Sequence, residues 1–339
     1  MSENIKNCSV VIYPNFNSYY YSFYLYGLLK KYKKIKYSNR DFPEFHHHCL
    51  AIIIIDNKRE YKIYISAGDG PGFNQKGLKW CDVYAKVNIE KNSIPKEYYH
   101  KVLPIGPSFG INLFNTYLTI TTGLITLTKS KIPFKKYRDH IANYFRQRYY
   151  RSSLSEYSHE KGDSNYIFYA GTLWRKEKKT NEARSNFMNS VINNPNIIFE
   201  GGFAPGKEEF FKIFDYLIMN QKYSHKNYIN NLKKSLLGFN TPAVKGCLGW
   251  KLGEYLALGK AIISTPINNL LPSPLIHGEH IHYIDGSKKS IKNSIEEIRS
   301  NESYKEILEK NSREYFLKYL SPESVIDRII SFAEKNSSI

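Results

Sequence analysis

The 339-residue chain has no apolar run longer than Leu50–Ile55, whereas crossing a bilayer takes about 20 such residues. Its opening Met1-Ser-Glu-Asn-Ile-Lys lacks the apolar core of a secretory leader. Membrane-spanning and exported classes are set aside, and a cytoplasmic location is expected. The four cysteines, Cys8, Cys49, Cys81 and Cys247, include no close pair, which argues against a zinc ribbon or a disulfide framework. There is no Gly-x-x-x-x-Gly-Lys-[Ser/Thr] loop, no Gly-x-Ser-x-Gly elbow and no Gly-x-Gly-x-x-Gly after the first strand-like run. Kinase, hydrolase and dehydrogenase readings lose their main support. Acidic residues are also scarce: 31 Asp and Glu face 49 Lys and Arg, a formal charge of +18. Such a field suits anionic partners, whether nucleotide diphosphates, acidic lipids, acidic glycans or nucleic acid, without choosing among them.

What is present is the composition of a folded protein, with 42% hydrophobic and 24% charged residues. The length fits two domains of roughly 150 residues each. The polar stretch Ser152–Ser164, carrying Gly162, reads as the linker, giving an N-terminal domain over 1–155 and a C-terminal domain over 156–339, whose final helix could pack back on the first. Strand-like runs separated by helix-length segments predict an α/β layer structure in both. In the first half these runs are Ser9–Tyr13, Cys49–Asp56, Tyr61–Ser66 and Val83–Ile89. Ile111–Thr128 does not resolve into helix or strand. Lys131–Arg151 interleaves Lys131, Lys135, Lys136, Arg138, Arg146, Arg148 and Arg151 with aromatic and apolar residues against the single acid Asp139. It reads either as a solvated helix with a packed aromatic face or as a basic amphipathic helix on an anionic membrane.

The second half alternates more clearly. Strands are predicted at Tyr166–Leu173, Ile197–Phe203, Leu236–Asn240, Ala261–Thr265 and His280–Asp285. Helices are predicted at Asn181–Asn193, Lys207–Asn220, His225–Ser235 and Gly249–Leu258, with more from Lys288 to the end. This predicts a parallel doubly wound sheet binding its ligand at the carboxyl ends of the strands. The most informative segment runs from Gly238 to Thr265. Its glycine-rich loop feeds a helix N-terminus, whose backbone N–H groups and positive dipole end suit a diphosphate. Lys251 adds charge in the first turn, and the Glu254 carboxylate suits paired ribose hydroxyls.

The order of strand, loop, Gly-Trp-Lys-Leu-Gly-Glu-Tyr-Leu-Ala-Leu-Gly-Lys and an apolar strand ending in Thr-Pro resembles the donor-binding element of GT-B glycosyltransferases, over roughly Tyr166–Asp285. The resemblance implies two Rossmann-like domains facing across a cleft. It also implies that Gly249, Trp250, Lys251 and Glu254 bind a nucleoside-diphosphate sugar together with Asn240. A second element, Tyr169-Ala-Gly-Thr-Leu-Trp-Arg-Lys176, resembles the place where a loop and a basic side chain meet the donor phosphates. It adds Gly171, Thr172, Arg175 and, on the next helix, Arg184, since Arg grips phosphate oxygens bidentately. Tyr223 and His225 read first as capping or core residues and second as part of the base pocket. Many retaining members carry two glutamates eight positions apart, but Gly246 stands where the first would be, so the reading leans toward inversion. An inverting enzyme needs a general base on the acceptor side. Asp69, between Gly68 and Gly70, is the first candidate and His47 of His46-His47-His48 the second. No cofactor and no metal is expected, since an Asp-x-Asp motif is missing and the histidine run has no neighbouring ligand cluster.

The implied activity is glycosyl transfer to a glycan or lipid-linked acceptor in bacterial surface polysaccharide synthesis. The protein would be cytoplasmic or peripheral on the inner membrane face, with no nucleic-acid partner. The rival classes are a nucleic-acid-binding protein, for which no reader motif is found, and a non-catalytic scaffold of the same fold that binds glycans or membranes.

Overall fold

The computed structural model describes residues 8–56, 59–206 and 209–336. The opening hexapeptide and Lys207, the expected first residue of a helix to Asn220, lie outside them. The chain forms two compact units, one of Met1–Leu154, Leu270–Pro272 and Tyr319–Ile339, the other of Ser155–Asn269 and Ser273–Lys318. Both are α/β, as the strand and helix periodicities predict.

The first unit contains β1 (Ser9–Ile12), α1 (Ser18–Lys31), β2 (Lys34–Tyr37), β3 (Leu50–Asp56), β4 (Arg59–Ser66), α2 (Gln75–Trp80), β5 (Val83–Lys86), β6 (Val102–Pro104), α3 (Thr116–Lys129) and α4 (Tyr137–Tyr149). Its six-stranded sheet has the order β2-β1-β3-β4-β5-β6. β1 pairs parallel with β2, and β4, β5 and β6 are parallel in succession, but β3 is antiparallel to both its neighbours. Two residues separate β3 from β4 in sequence, too few for the crossover a parallel pair needs. β3 is the β-branched centre of the sheet, with Leu50 to Ile54 buried.

One open segment resolves here and two sequence expectations change. Ile111–Thr128 resolves into irregular chain followed by α3, N-capped by Asn115, whose side chain accepts from the Leu118 N–H at 2.8 Å. Lys131–Arg151 is no single helix, because Pro133 introduces a 3-10 turn over Phe134–Lys136 before α4 begins. The described part of Lys207–Asn220 is a 3-10 segment, Glu209–Leu217, broken at Phe214 (φ −117°, ψ 15°).

The second unit holds β7 (Tyr166–Gly171), α5 (Lys178–Ile192), β8 (Ile198–Phe203), α6 (His225–Lys234), β9 (Gly238–Asn240), α7 (Trp250–Leu258), β10 (Ile262–Ser264), β11 (His282–Tyr283), α8 (Lys288–Ser300) and α9 (Glu302–Tyr315). β7 and β8 form one parallel ladder and β9, β10 and β11 another. The two ladders meet at β7 and β9, where the Leu236 N–H donates to the Tyr166 carbonyl at 2.7 Å. The Ser235 hydroxyl helps to join them, accepting from the Phe168 N–H and donating to the Leu237 carbonyl. The spatial order is therefore β8-β7-β9-β10-β11, a doubly wound arrangement. Phe187, Phe239, Ile263, Ile291 and Ile295 fill the core between sheet and helices, and the Phe187 and Phe239 rings stack at 4.2 Å. β11 is shorter than the expected His280–Asp285. The last helix, α10 (Pro322–Asn336), returns to the first unit and packs on α1.

Candidate functional site

In the second unit the chain goes outward from β7 to β8, then returns to the other side of β7 to lay down β9, β10 and β11. The carboxyl ends of β7 and β9 therefore bound the switch point, the place where sheets of this kind take their ligands. Sequence places Gly171 and Thr172 at one of these ends and Asn240 and Thr241 at the other. Arg184, buried on α5, joins them: its Nε–H donates to Thr241 Oγ1 at 2.9 Å and its Nη1 to the Thr172 carbonyl at 2.6 Å. Arg184, read from sequence as a donor contact, also clamps the two loops at these strand ends. Asn240 is buried too, its Nδ2 donating to Ser264 Oγ at 2.9 Å, and so ties β9 to β10.

Beyond Asn240 the loop 241–249 is held from several sides. Thr180 Oγ1 donates to the Pro242 carbonyl, the Lys245 N–H donates to Glu177 Oε1, and Asn269 Nδ2 donates to the Gly246 carbonyl. An open concavity of about 180 Å³, solvent included, is lined here by Thr241, Gly246, Gly249, Leu252 and Ile267 among others. α7 starts from Gly249, which has no side chain to cap the first turn. A Cβ at Gly249 would meet only Ala243 Cβ, at 3.5 Å, so the approach to the helix start is open. The far end closes with Gly259 in the left-handed region (φ +62°), its N–H donating to the Leu256 carbonyl, as the glycine after Leu258 predicts.

Lys251 lies half-buried in that first turn, its ammonium over the Tyr169 ring, 5.1 Å from the centroid. Burial, then the neighbouring Arg184 cation, push its pKa down to about 7, while Glu254 opposes the shift. A cation held this way gains from any anion that arrives. Arg175 sits on the exposed turn after β7, and Thr172 is exposed beside it. Trp250 is half-buried.

Glu254 is placed differently from a surface helix glutamate. It is only 4% exposed. Tyr228 donates to its Oε2 at 2.9 Å, Tyr157 reaches its Oε1 at 3.4 Å, and His225 Nε2 lies 3.8 Å from Oε1. Burial and the adjacent carboxylate hold the Tyr228 hydroxyl well above the usual phenol range, so it stays a proton donor. An ionised carboxylate only accepts hydrogen bonds, and here two tyrosine hydroxyls donate to it. Phe168 packs edge-on against both Tyr223 and Tyr228, which makes Tyr223 a wall of the same cluster. Tyr157, Tyr228 and Thr241 were not readable as site residues, because no local spacing links them to α7.

The acceptor-side candidates both lie in the first unit, at the edge where β1, β4 and β5 end. Asp69 is exposed on the loop after β4. That loop is held by Asn88 Nδ2 donating to the Gly68 carbonyl and by the buried Lys86 Nζ donating to the Gly70 carbonyl, each at 2.9 Å. Burial pushes the Lys86 pKa down to about 8. His47 is half-buried on the loop before β3, its ring 4.0 Å from that of His48. Burial, then His48, lower its pKa. Tyr21 joins the two loops, its hydroxyl donating to the His48 carbonyl at 2.6 Å and accepting from the Ala67 N–H at 3.3 Å. Among the described residues, no group of three His, Cys, Asp or Glu is placed to hold a metal ion.

No family model matches the chain, and no curated protein matches it in sequence. Solved structures do. The C-terminal domain of LpcC, a group 1 family glycosyl transferase from Francisella tularensis, is 13% identical with a TM-score of 0.34, the match covering 47% of this chain and 87% of that one. A glycosyltransferase from Rickettsia africae is 9% identical with a TM-score of 0.45, covering 80% and 70%. Sucrose-phosphate synthase from Thermosynechococcus elongatus is 11% identical with a TM-score of 0.44, covering 81% and 68%. Likeness at this level fixes no activity.

Proposed function

We propose that this chain is a glycosyltransferase that takes a sugar from a nucleoside-diphosphate donor. The observation that carries the reading is the start of α7 at the switch point: an uncapped helix N-terminus with the half-buried Lys251 cation beside it and the backbone at Gly249 open to approach. In this reading the diphosphate lies against the first turn of α7, with Lys251 and the exposed Arg175 side chain neutralising its charge. Glu254, steadied by Tyr228, accepts from a ribose hydroxyl. An acceptor hydroxyl oxygen attacks the anomeric carbon, and its proton passes to Asp69, or to His47 in its neutral form. The bond from that carbon to the diphosphate oxygen breaks, and the electron pair leaves with the diphosphate, where the cations stabilise it. The step inverts the anomeric centre, and no metal is required for it because the fixed cations take that role.

The acceptor proposed is a glycan or lipid-linked glycan of the kind used in bacterial surface polysaccharide synthesis. A panel of nucleoside diphosphates and their sugars, scanned by thermal shift and then by donor hydrolysis, tests the reading. Stabilisation by a nucleoside diphosphate, lost in Lys251→Met, supports it. Stabilisation by an oligonucleotide alone would support a nucleic-acid-binding protein instead.

A further inference from the structure

α3 is amphipathic in the reverse of the usual sense. Its buried face is Thr119, Thr122, Gly123 and Thr126, and the Thr126 hydroxyl is occupied by contacts with Tyr144 and His140 of α4. Its outer face carries Tyr117, Leu118, Ile120, Leu124 and Ile125, with Leu124 51% exposed. Positions 117, 118, 121, 124, 125 and 128 form one continuous helical stripe, in which Tyr117, Leu118, Leu124 and Ile125 surround Thr121 and Thr128, with Ile120 at its edge. α4 packs against α3 and extends this surface with exposed Phe145 and Tyr149, whose rings stack at 6.2 Å. In the turn between the helices Phe134 is 84% exposed. Neighbouring exposed apolar and aromatic side chains on two packed helices of a folded unit mark a surface that something covers.

The charge around it identifies what. From Thr116 to Arg151 the chain carries eight Lys and Arg and one acid, Asp139. Lys129, Lys131, Lys135, Lys136 and Arg138 flank Phe134 and are all exposed. A second copy of the chain would bring the same cations against themselves, which disfavours a symmetric dimer on this face. An anionic bilayer satisfies both features, since its acyl boundary accepts the leucine, isoleucine and aromatic groups while its headgroups accept the lysines and arginines. We propose that the α3–α4 hairpin docks this protein on an anionic membrane, lying in the interface without crossing it. The hairpin carries no residue of the proposed donor site, so this inference stands apart from the transferase reading.

Flotation of the full chain with vesicles tests it, comparing phosphatidylcholine alone with phosphatidylcholine containing about one third phosphatidylglycerol. The protein is expected to float with the anionic vesicles and remain behind with the neutral ones. Lys135→Ala with Lys136→Ala should lower partitioning about fivefold for each charge removed. Leu124→Asp with Ile125→Asp should lower it at least about tenfold while leaving the melting temperature unchanged, because both side chains already face water. Failure of the wild-type chain to bind anionic vesicles at low salt overturns the proposal. So does undiminished binding of the double aspartate variant, or light scattering that shows a dimer which that variant dissociates.

Discussion

Replacing Lys251 with methionine should separate stability from binding. Its ammonium is half-buried over the Tyr169 ring with the Arg184 cation nearby, an arrangement that pushes its pKa down to about 7. The charged form is therefore disfavoured, and removing it relieves a cost rather than breaking a contact. Methionine is close in length and keeps the contact with the ring, so the melting temperature of Lys251→Met without ligand should hold or rise. With a diphosphate against α7 the same ammonium gains a charged partner. A charge-assisted hydrogen bond contributes about 1.5–3 kcal/mol, so its loss should weaken nucleoside-diphosphate binding by about tenfold to a hundredfold. Calorimetric titration at a pH about one unit below the lysine's pKa, alongside thermal unfolding of the ligand-free protein, gives both numbers. A dissociation constant within about twofold of wild type, or a fall in stability without ligand, would refute the assignment of Lys251 to the diphosphate.

The pH dependence follows from the same group. An anion raises the Lys251 pKa above its free value of about 7, so affinity is complete below that pH and declines as pH rises through it. The steepest slope is about tenfold per pH unit, and titrations of Lys251→Met should show a flatter profile. Glu254→Ala removes the acceptor of the Tyr228 hydroxyl at 2.9 Å and should cost about 1–3 kcal/mol of stability by leaving a buried donor unmet. It should also raise the donor KM, whereas Glu254→Gln should keep most of the stability and lose most of the donor affinity; unchanged donor kinetics in both variants would remove Glu254 from the site. Two glycines with positive φ should respond very differently to alanine. At Gly201 (φ +119°) a Cβ would lie 1.9 Å from the Tyr169 carbonyl oxygen, so Gly201→Ala should cost at least about 3 kcal/mol in denaturant unfolding. At Gly246 (φ +69°) a Cβ meets nothing within 4 Å, and Gly246→Ala should cost only about 1–2 kcal/mol.

How far the site was legible follows the range of the interactions involved. The start of α7 at Gly249, its stop at Gly259 and the positions of Lys251 and Glu254 near its N-terminus are set by neighbours within a few residues, so the sequence carries them openly. The same holds for the strands flanking that helix, whose apolar runs end in Asn240 and Thr265. The bridging contacts of Arg184 were not legible because its partners, Thr172 and Thr241, lie 12 and 57 positions away. The hydrogen-bond partners of Glu254 were not legible, because nothing nearby in sequence announces Tyr157, 97 positions earlier, or Tyr228, 26 positions earlier.

By itself, then, the amino-acid sequence determined the alternation of strand and helix, the basic excess, and the glycine-marked helix in the second unit, because hydrophobic periodicity and backbone punctuation are local properties. The tertiary structure alone decided the β8-β7-β9-β10-β11 order that puts the ends of β7 and β9 side by side, and with it the burial that lowers the Lys251 pKa. It also decided which side of α3 faces inward. Thr126, whose hydroxyl finds partners on α4, is buried there with Thr119 and Thr122, leaving leucine and isoleucine on the outside, and no periodicity in a single helix reveals which of its faces another helix will cover.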